Sequence, residues 1–275
     1  MKNFTDKVAA ITGAGSGMGR SLAVLLAKRG CHLALSDVNE AGLAETVRLV
    51  ADSAVKVTSQ RLDVANKDDV FAWADKVVAD HGKVNLIFNN AGVALGSAVD
   101  GGSYEDFEWL MNINFWGVVH GTKAFLPYLK QAGEGHIINT SSLFGLIAVP
   151  SQSAYNASKF AVRGFTEALR QELELENVNV SATSVHPGGI KTNIAKAARM
   201  DKSVESIGMS VNSTAKFEKL FRTTADDAAA QMIRAVEKNQ RRLLIGNDAK
   251  VLDLMARVFP SSYQKLVALS TKSMK

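Results

Sequence analysis

An α/β fold, a parallel doubly wound sheet of about seven strands flanked by helices, is predicted by three observations. Short apolar runs and longer helix-period segments take turns along the chain. The apolar runs do not alternate polar with apolar residues, so they read as strands buried on both faces. The first run ends in a glycine-rich turn that opens a helix. No Pro-, Gly- or Ser-rich linker interrupts this order over the 275 residues, so a single domain spanning 1–275 is expected.

The elements follow in order. Val8 to Thr12 is the first strand, and Met18 to Arg29 a helix with Leu22, Leu25 and Leu26 on one side. Cys31 to Ser36 is a strand, Glu40 to Val50 a helix, Val55 to Leu62 a strand and Asp68 to Asp80 a helix. Val84 to Phe88 is the fourth strand. Asp106 to Leu129 fits one long helix, entered through Ser103 with acidic residues just behind it. His136 to Thr140 is a strand and Ala154 to Glu176 a second long helix. Val178 to Val185 is a strand closed by Pro187-Gly188-Gly189. Residues 195–222 are mixed and polar, with no firm period. Thr224 caps a helix reaching Lys238, and Leu243 to Ile245 is the last strand. Beyond it, apolar residues on either side of Pro260 form two amphipathic helices, an extension over residues 247–275.

Composition narrows the function classes. Hydrophobic residues make up 47% and charged residues 21%, which excludes a disordered, collagen-like or coiled-coil chain. One cysteine, Cys31, excludes an intramolecular disulfide and a cysteine-based metal cluster. The five histidines show no metal-ligand spacing, so no metal is expected. The net charge of +5 is moderate, and no basic stripe carries interleaved aromatics, so nucleic acid is not an expected partner. No run of about 20 apolar residues is present and no signal-peptide pattern opens the chain. A cytoplasmic protein with no transmembrane segment is expected.

The turn after the first strand reads Thr12-Gly13-Ala14-Gly15-Ser16-Gly17-Met18-Gly19. Glycines there permit a tight turn and close approach of backbone to a pyrophosphate, and the helix that follows presents N–H groups and a positive dipole end. Asp37 ends the second strand 18 residues past Gly19, near the spacing of the acid that binds an adenosine ribose. A carboxylate there accepts from both ribose hydroxyls and repels a 2′-phosphate, which favours NAD over NADP. The alternatives are a plain strand–helix turn and a simple turn aspartate. Cys31 reads as a buried small hydrophobe.

Further motifs carry a resemblance over roughly residues 5–250. Asp63-Val64 follows the third strand and Asn89-Asn90-Ala91-Gly92 ends the fourth. Asn114 sits in Asn-Phe-Trp-Gly. Ser142, Tyr155 and Lys159 follow at fixed spacing, then Pro187-Gly188 and Thr192. In this order they resemble the short-chain dehydrogenase/reductase family, in a subgroup with a C-terminal extension. The resemblance implies a Rossmann fold and NAD as cofactor. It places the cofactor on Gly13, Gly15, Ser16, Gly17, Met18, Gly19, Asp37, Asp63, Val64, Asn90, Ala91, Gly92, Tyr155, Lys159, Pro187, Gly188, Ile190 and Thr192.

The chemistry follows from Tyr155 and Lys159. Four residues apart on one helix face, they lie about 6 Å apart along the axis. A tyrosine of pKa near 10 is a poor base at pH 7, and a nearby ammonium is expected to lower it. Taken alone, Tyr155 also reads as a packing aromatic, Lys159 as a solvated lysine, Ser142 as a turn serine and Asn114 as a helix hydrogen-bonder. The resemblance makes Tyr155 the acid/base and Ser142 the group that holds the substrate oxygen. It gives Lys159 the nicotinamide ribose and Asn114 a water linking Lys159 to solvent. Ser141 is one residue off that spacing.

The family's topology also implies a substrate pocket from Leu95, Gly96, Ser142, Phe144, Val149, Gln152, Tyr155 and Gly188, with residues 195–222 as a lid. Its apolar side chains suggest a largely apolar secondary alcohol or ketone as the small-molecule substrate. The lid lysines and arginines, Lys216 and Lys219 among them, read as a solvated face or as contacts for an acidic substrate. The extension is expected to pack on the domain; a pocket cover, a subunit interface and a membrane surface are its other readings. A homodimer or homotetramer through the two long helices is implied. Two other functions remain open. One is an NADPH-dependent carbonyl reductase in which Arg20 or Asn39 compensates Asp37. The other is a non-catalytic dinucleotide-binding regulator.

Overall fold

The computed structural model describes residues 1–211 and 221–273. The central part of the expected lid, residues 212–220 with Lys216 and Lys219, lies outside the described residues. Strands β1 (Val8–Thr12), β2 (His32–Asp37), β3 (Val57–Arg61) and β4 (Leu86–Asn89) alternate with α1 (Gly17–Ala27), α2 (Glu40–Leu49) and α3 (Lys67–His81). Helices α4 (Tyr104–Met111) and α5 (Gly117–Gln131) lead to β5 (Gly135–Thr140), α6 (Ser153–Leu175) and β6 (Val180–Pro187). Helix α7 (Ala225–Glu237), β7 (Arg242–Ile245), α8 (Asn247–Val258) and α9 (Tyr263–Ser273) complete the chain.

The seven strands form one sheet in the order β7-β6-β5-β4-β1-β2-β3, every neighbouring pair parallel. Both faces are covered, which is why the apolar runs lack alternation. Ala9, Ile11, Leu86 and Phe88 meet Leu22, Leu26, Met232 and Ile233 of α1 and α7 on one face. Val8, Ala10 and Ile87 meet Trp73, Val77, Phe125, Leu129 and Leu169 of α3, α5 and α6 on the other. Each large side chain buried this way stabilises the fold by about 1.5–3 kcal/mol. Cys31 lies in the first cluster, its thiol pushed up to about 12 by burial, and so behaves as a small hydrophobe.

The expected capping residues hold. Ser103 accepts from the Asp106 N–H and Thr224 from the Asp227 N–H, both at 3.1 Å.

Three features differ from expectation. The single helix expected over Asp106 to Leu129 is divided at a π turn, Asn112–Trp116. A π turn adds a residue within a continuous helical path, and the residue types on either side of it are those of one helix. Strand β3 is the sheet edge and is only partly buried, unlike the inner strands. Strand β6 runs two residues further than its apolar stretch, because His186 and Pro187 pair with Leu244 and Ile245 of β7. The remaining helices and strands lie within about two residues of their expected limits.

Strands β2 and β4 leave β1 on opposite sides, so the sheet order reverses at β1. A crevice opens beyond the carboxyl ends of the strands at such a point. The glycine turn and Asn89–Gly92 stand at its mouth.

Among the described residues no helix is long and apolar enough to cross a membrane. Nor is there a group of three or more His, Cys, Asp or Glu able to hold a metal ion.

Candidate active site

The crevice begins with backbone. Gly13 has φ +66°, and a Cβ on it would stand 2.8 Å from the Ala91 Cα. A Cβ on Gly19 would overlap the Gly13 carbonyl oxygen, so only glycine lets α1 come down onto the turn. The Ser16 hydroxyl does not cap α1, leaving the first turn of the helix facing the groove. Thr12 Oγ1 accepts from the Asn90 and Ala91 N–H groups at 3.0 and 3.1 Å. Asn90 Nδ2 donates back to the carbonyls of Thr12 and Gly13. These bonds join the end of β4 to the glycine turn as one rigid wall.

Asp37 closes the other end. Its Oδ2 accepts from the Gly15 N–H at 2.7 Å and its Oδ1 from the Asn39 N–H at 2.8 Å. Each oxygen keeps acceptor capacity for a vicinal diol. Arg20, the residue considered as a counter-ion for a 2′-phosphate, is engaged elsewhere. Its guanidinium donates to the carbonyls of Gly15 and Gly42 and to Thr46 Oγ1. Asn39 caps α2 through the Gly42 N–H.

One groove is lined by Gly13, Ser16, Gly17, Met18, Asp37, Asp63, Val64, Asn90, Ala91, Gly92 and Thr192. Gly15 and Gly19 stand behind it. Ile190 belongs to the core instead, and Pro187 is buried at the end of β6. Sequence reasoning missed Val38, Leu62, Ile113 and Ile194, which line the groove as well. Val38 carried a signal: it is an apolar residue directly after the strand-end carboxylate. The glycine cradle, the fixed carboxylate and the apolar walls fit an adenine dinucleotide.

The groove wall at Gly92 adjoins the chemical group. A Cβ on Gly92 would lie 3.5 Å from Lys159 Nζ and 3.1 Å from Asn114 Oδ1. Lys159 is 3% exposed and donates to the Thr140 carbonyl at 3.1 Å. Its Nζ stands 5.5 Å from the centre of the Tyr155 ring. Burial lowers the ammonium from 10.5 to about 8. The Tyr155 phenol moves the other way: burial raises it, and a hydrogen bond with Ser142 only partly opposes that. The expected depression of Tyr155 by Lys159 is therefore not present in the protein alone, where desolvation decides the direction.

Ser142 starts a short 3₁₀ turn, Leu143–Gly145, and its Oγ accepts from the Phe144 N–H at 3.1 Å. Ser141 is committed to structure, its hydroxyl donating to the Lys159 carbonyl at 2.7 Å. Behind Ser142 stands His186, fully buried and lowered to about 4 by desolvation, so it is neutral at pH 7. Its Nδ1–H donates to the Ser142 carbonyl at 3.0 Å, and its Nε2 accepts from the Ser184 hydroxyl at 2.9 Å.

Asn114 lies in the π turn with no exposed surface. Its Oδ1 accepts from the Val93 N–H at 2.8 Å and its Nδ2 donates to the Val93 carbonyl at 2.9 Å.

The expected pocket residues divide. Phe144 meets Tyr155 edge-on at 6.1 Å. Leu95 is 2% exposed and packs with Leu110, Ala154 and Tyr155. Gly96 pairs with Met200, and Gln152 bridges to Ser97. Val149 packs towards α8 and α9 with Leu143 and Ile147. Gly188 faces Asp248. A larger open cavity, about 780 Å³, lies beyond Gly189 between Arg222, Arg234 and Lys250. It contains none of Ser142, Tyr155 or Lys159, whereas Lys159 adjoins the groove wall at Gly92.

Known proteins resemble this chain in sequence and fold. A family model described as short chain dehydrogenase matches residues 7–203. The Mycobacterium tuberculosis protein SadH is 51% identical over 270 residues, covering 98% of this chain and 96% of SadH. A short chain dehydrogenase/reductase from Burkholderia phymatum, solved in complex with NAD, superposes with a TM-score of 0.87 at 33% identity. That match covers 94% of this chain and 95% of the other. An alcohol dehydrogenase from Thermococcus sibiricus, complexed with 5-hydroxy-NADP, superposes with a TM-score of 0.71 at 27% identity. It covers 87% of this chain and 95% of that one. The chain belongs to the short chain dehydrogenase family, the NAD(P)-dependent oxidoreductases that move a hydride between an alcohol and its ketone.

Proposed function

We propose that the chain prefers NAD and interconverts a largely apolar secondary alcohol and its ketone, with Tyr155 as acid/base. The observation that carries this reading is the convergence of Ser142, Tyr155 and Lys159 beside a groove whose far end holds a fixed Asp37. A 2′-phosphate would meet that carboxylate with no free guanidinium from Arg20 to offset it. This disfavours the NADPH-dependent alternative. The intact catalytic group disfavours the non-catalytic regulator.

Ser142 and Tyr155 hold the substrate oxygen between their hydroxyls. In oxidation Tyr155 takes the alcohol proton at its phenolic oxygen; in reduction it returns one. NAD, when bound, supplies the hydride-accepting carbon and a positive charge next to the phenol. Together with Lys159 that charge offsets the desolvation that raises Tyr155. Lys159 holds the nicotinamide ribose, and Asn114 faces it across Gly92, where a proton leaves the buried site. Phe144, Val149 and Leu95 make the substrate side apolar.

Residues 195–222 act as the lid of the single domain, and the chain works in the cytoplasm. Assembly as a homodimer or homotetramer through the two long helical runs, α4 to α5 and α6, is supported by Phe107, Trp116 and Phe160, exposed on α4, the π turn and α6.

The test is a panel of secondary alcohols and ketones followed by NADH formation and consumption, in parallel with NADP(H). NAD(H) should be used at least tenfold more efficiently, and Asp37→Ser should remove most of that preference. A wild-type preference for NADPH would overturn the ribose assignment. A chain that binds NADH yet turns over nothing in the panel would overturn the catalytic one.

A further inference from the structure

The C-terminal extension reaches both walls of the site. Tyr263 of α9 is 7% exposed, and its hydroxyl accepts from the Ala148 N–H at 3.1 Å, in the loop that follows Ser142. Leu143, Ile147, Phe144 and Val149 of that loop pack with Ala249, Leu252 and Met255 of α8. The extension is thereby docked on the catalytic side of the domain, not on its back.

Its second contact is polar. Asp248, in the first turn of α8, accepts from the Gly189 N–H on Oδ2 at 2.7 Å. Gly188 donates its own N–H to the Ile245 carbonyl at 2.9 Å. The carboxylate is seated between two glycines, since a Cβ on either Gly188 or Gly246 would overlap it. Gly246 has φ +94°, so the chain enters α8 in a conformation that side-chain-bearing residues rarely adopt. These features aim one carboxylate at one backbone turn. From that turn the chain runs through Ile190 to Thr192, which lines the groove and whose Cγ2 comes within 3.0 Å of a Cβ built on Gly17.

We propose that Asp248 is a positioning residue for the cofactor: the first turn of the extension latches the Pro187–Gly189 turn and so holds Thr192 against the glycine loop. This rests on the reading of Pro187–Thr192 as the segment flanking the nicotinamide. The latch acts through the backbone, so any side chain at 248 that accepts a hydrogen bond serves, and one that does not lets the turn swing.

The experiment is a fluorescence titration of NADH into full-length wild type, Asp248→Ala, Asp248→Asn and Leu252→Ala, with Tm measured on each. Asp248→Ala is expected to weaken NADH binding five- to tenfold, and Asp248→Asn to restore it to within about threefold of wild type. Leu252→Ala removes extension packing without touching the latch, so it should lower Tm and leave NADH affinity within about twofold. Asp248→Ala binding as wild type overturns the proposal. So does an Asn variant as weak as the Ala variant, or a Leu252→Ala loss of affinity equal to that of Asp248→Ala. Wild type that binds no NADH removes the cofactor assignment itself, a failure distinct from that of the latch.

Discussion

The two sides of the site are built on different principles. The nucleotide side, from Thr12 to Gly92, is made of backbone bonded to backbone, with glycines where no Cβ fits and with Thr12, Asp37 and Asn90 as short polar braces. The substrate side, from Ser142 to Val149 and across to α8 and α9, is made of apolar side chains packed on one another. Close backbone approach tolerates few residue types, whereas packing accepts any apolar side chain of suitable volume. One side therefore holds a constant cofactor, while the other can be retuned without disturbing it. Tyr155 and Lys159 stand on the boundary.

The sharpest break between the two sides should come at Tyr155. Tyr155→Phe is expected to lower turnover by about 10³-fold while NADH affinity stays within a few-fold. Stopped-flow or steady-state rates beside an NADH titration measure both, and near-wild-type turnover would refute the acid/base assignment.

A second effect separates function from stability. Lys159 is a buried ammonium with a folded value of about 8 against an ordinary 10.5. Below pH 8 the folded and unfolded chains are both charged there, and the cost of burial is paid in full. Between pH 8 and about 10.5 the folded chain releases its proton and that cost fades. Lys159→Met should therefore lose activity and NADH affinity yet unfold at a higher temperature than wild type at pH 7. The stability gain is on the order of 3 kcal/mol, and the gap should shrink above pH 8 and close only above about pH 10.5. A gap that widens with pH would contradict the assignment of Lys159 as a buried cation.

What could be read beforehand follows the same division. The glycine turn and Asp37 were legible because each answers a steric or hydrogen-bonding demand that few residues meet, while Asn90 was named through the family resemblance. The strands were legible because both faces of the sheet are covered. The π turn at Asn112–Trp116 was not, since the helical path continues through it and only the backbone shows the added residue. Nor was the direction of the Tyr155 shift. Spacing places an ammonium nearby, but only the packing of Phe144 and Leu95 around the ring shows how much water the phenol loses. The docking of α8 on the Ser142 loop was also hidden, because an amphipathic helix does not announce which surface it covers.

The smallest effect belongs to the substrate side. Phe144→Ala should change KM for the alcohol by about three- to tenfold while leaving NADH affinity within twofold, because the ring touches Tyr155 and the extension but lines none of the nucleotide groove. A loss of NADH affinity larger than the change in KM would mean that the two sides are not separable.

The central claim is geometric: the phenol, the ammonium and the hydroxyl converge on the reactive face of the nicotinamide. A crystal structure of the full chain with NADH tests it most directly. The account predicts the Tyr155 oxygen within about 5 Å of the hydride-bearing carbon, on the Ser142 side of the ring. A separation above about 8 Å in a closed complex would contradict it.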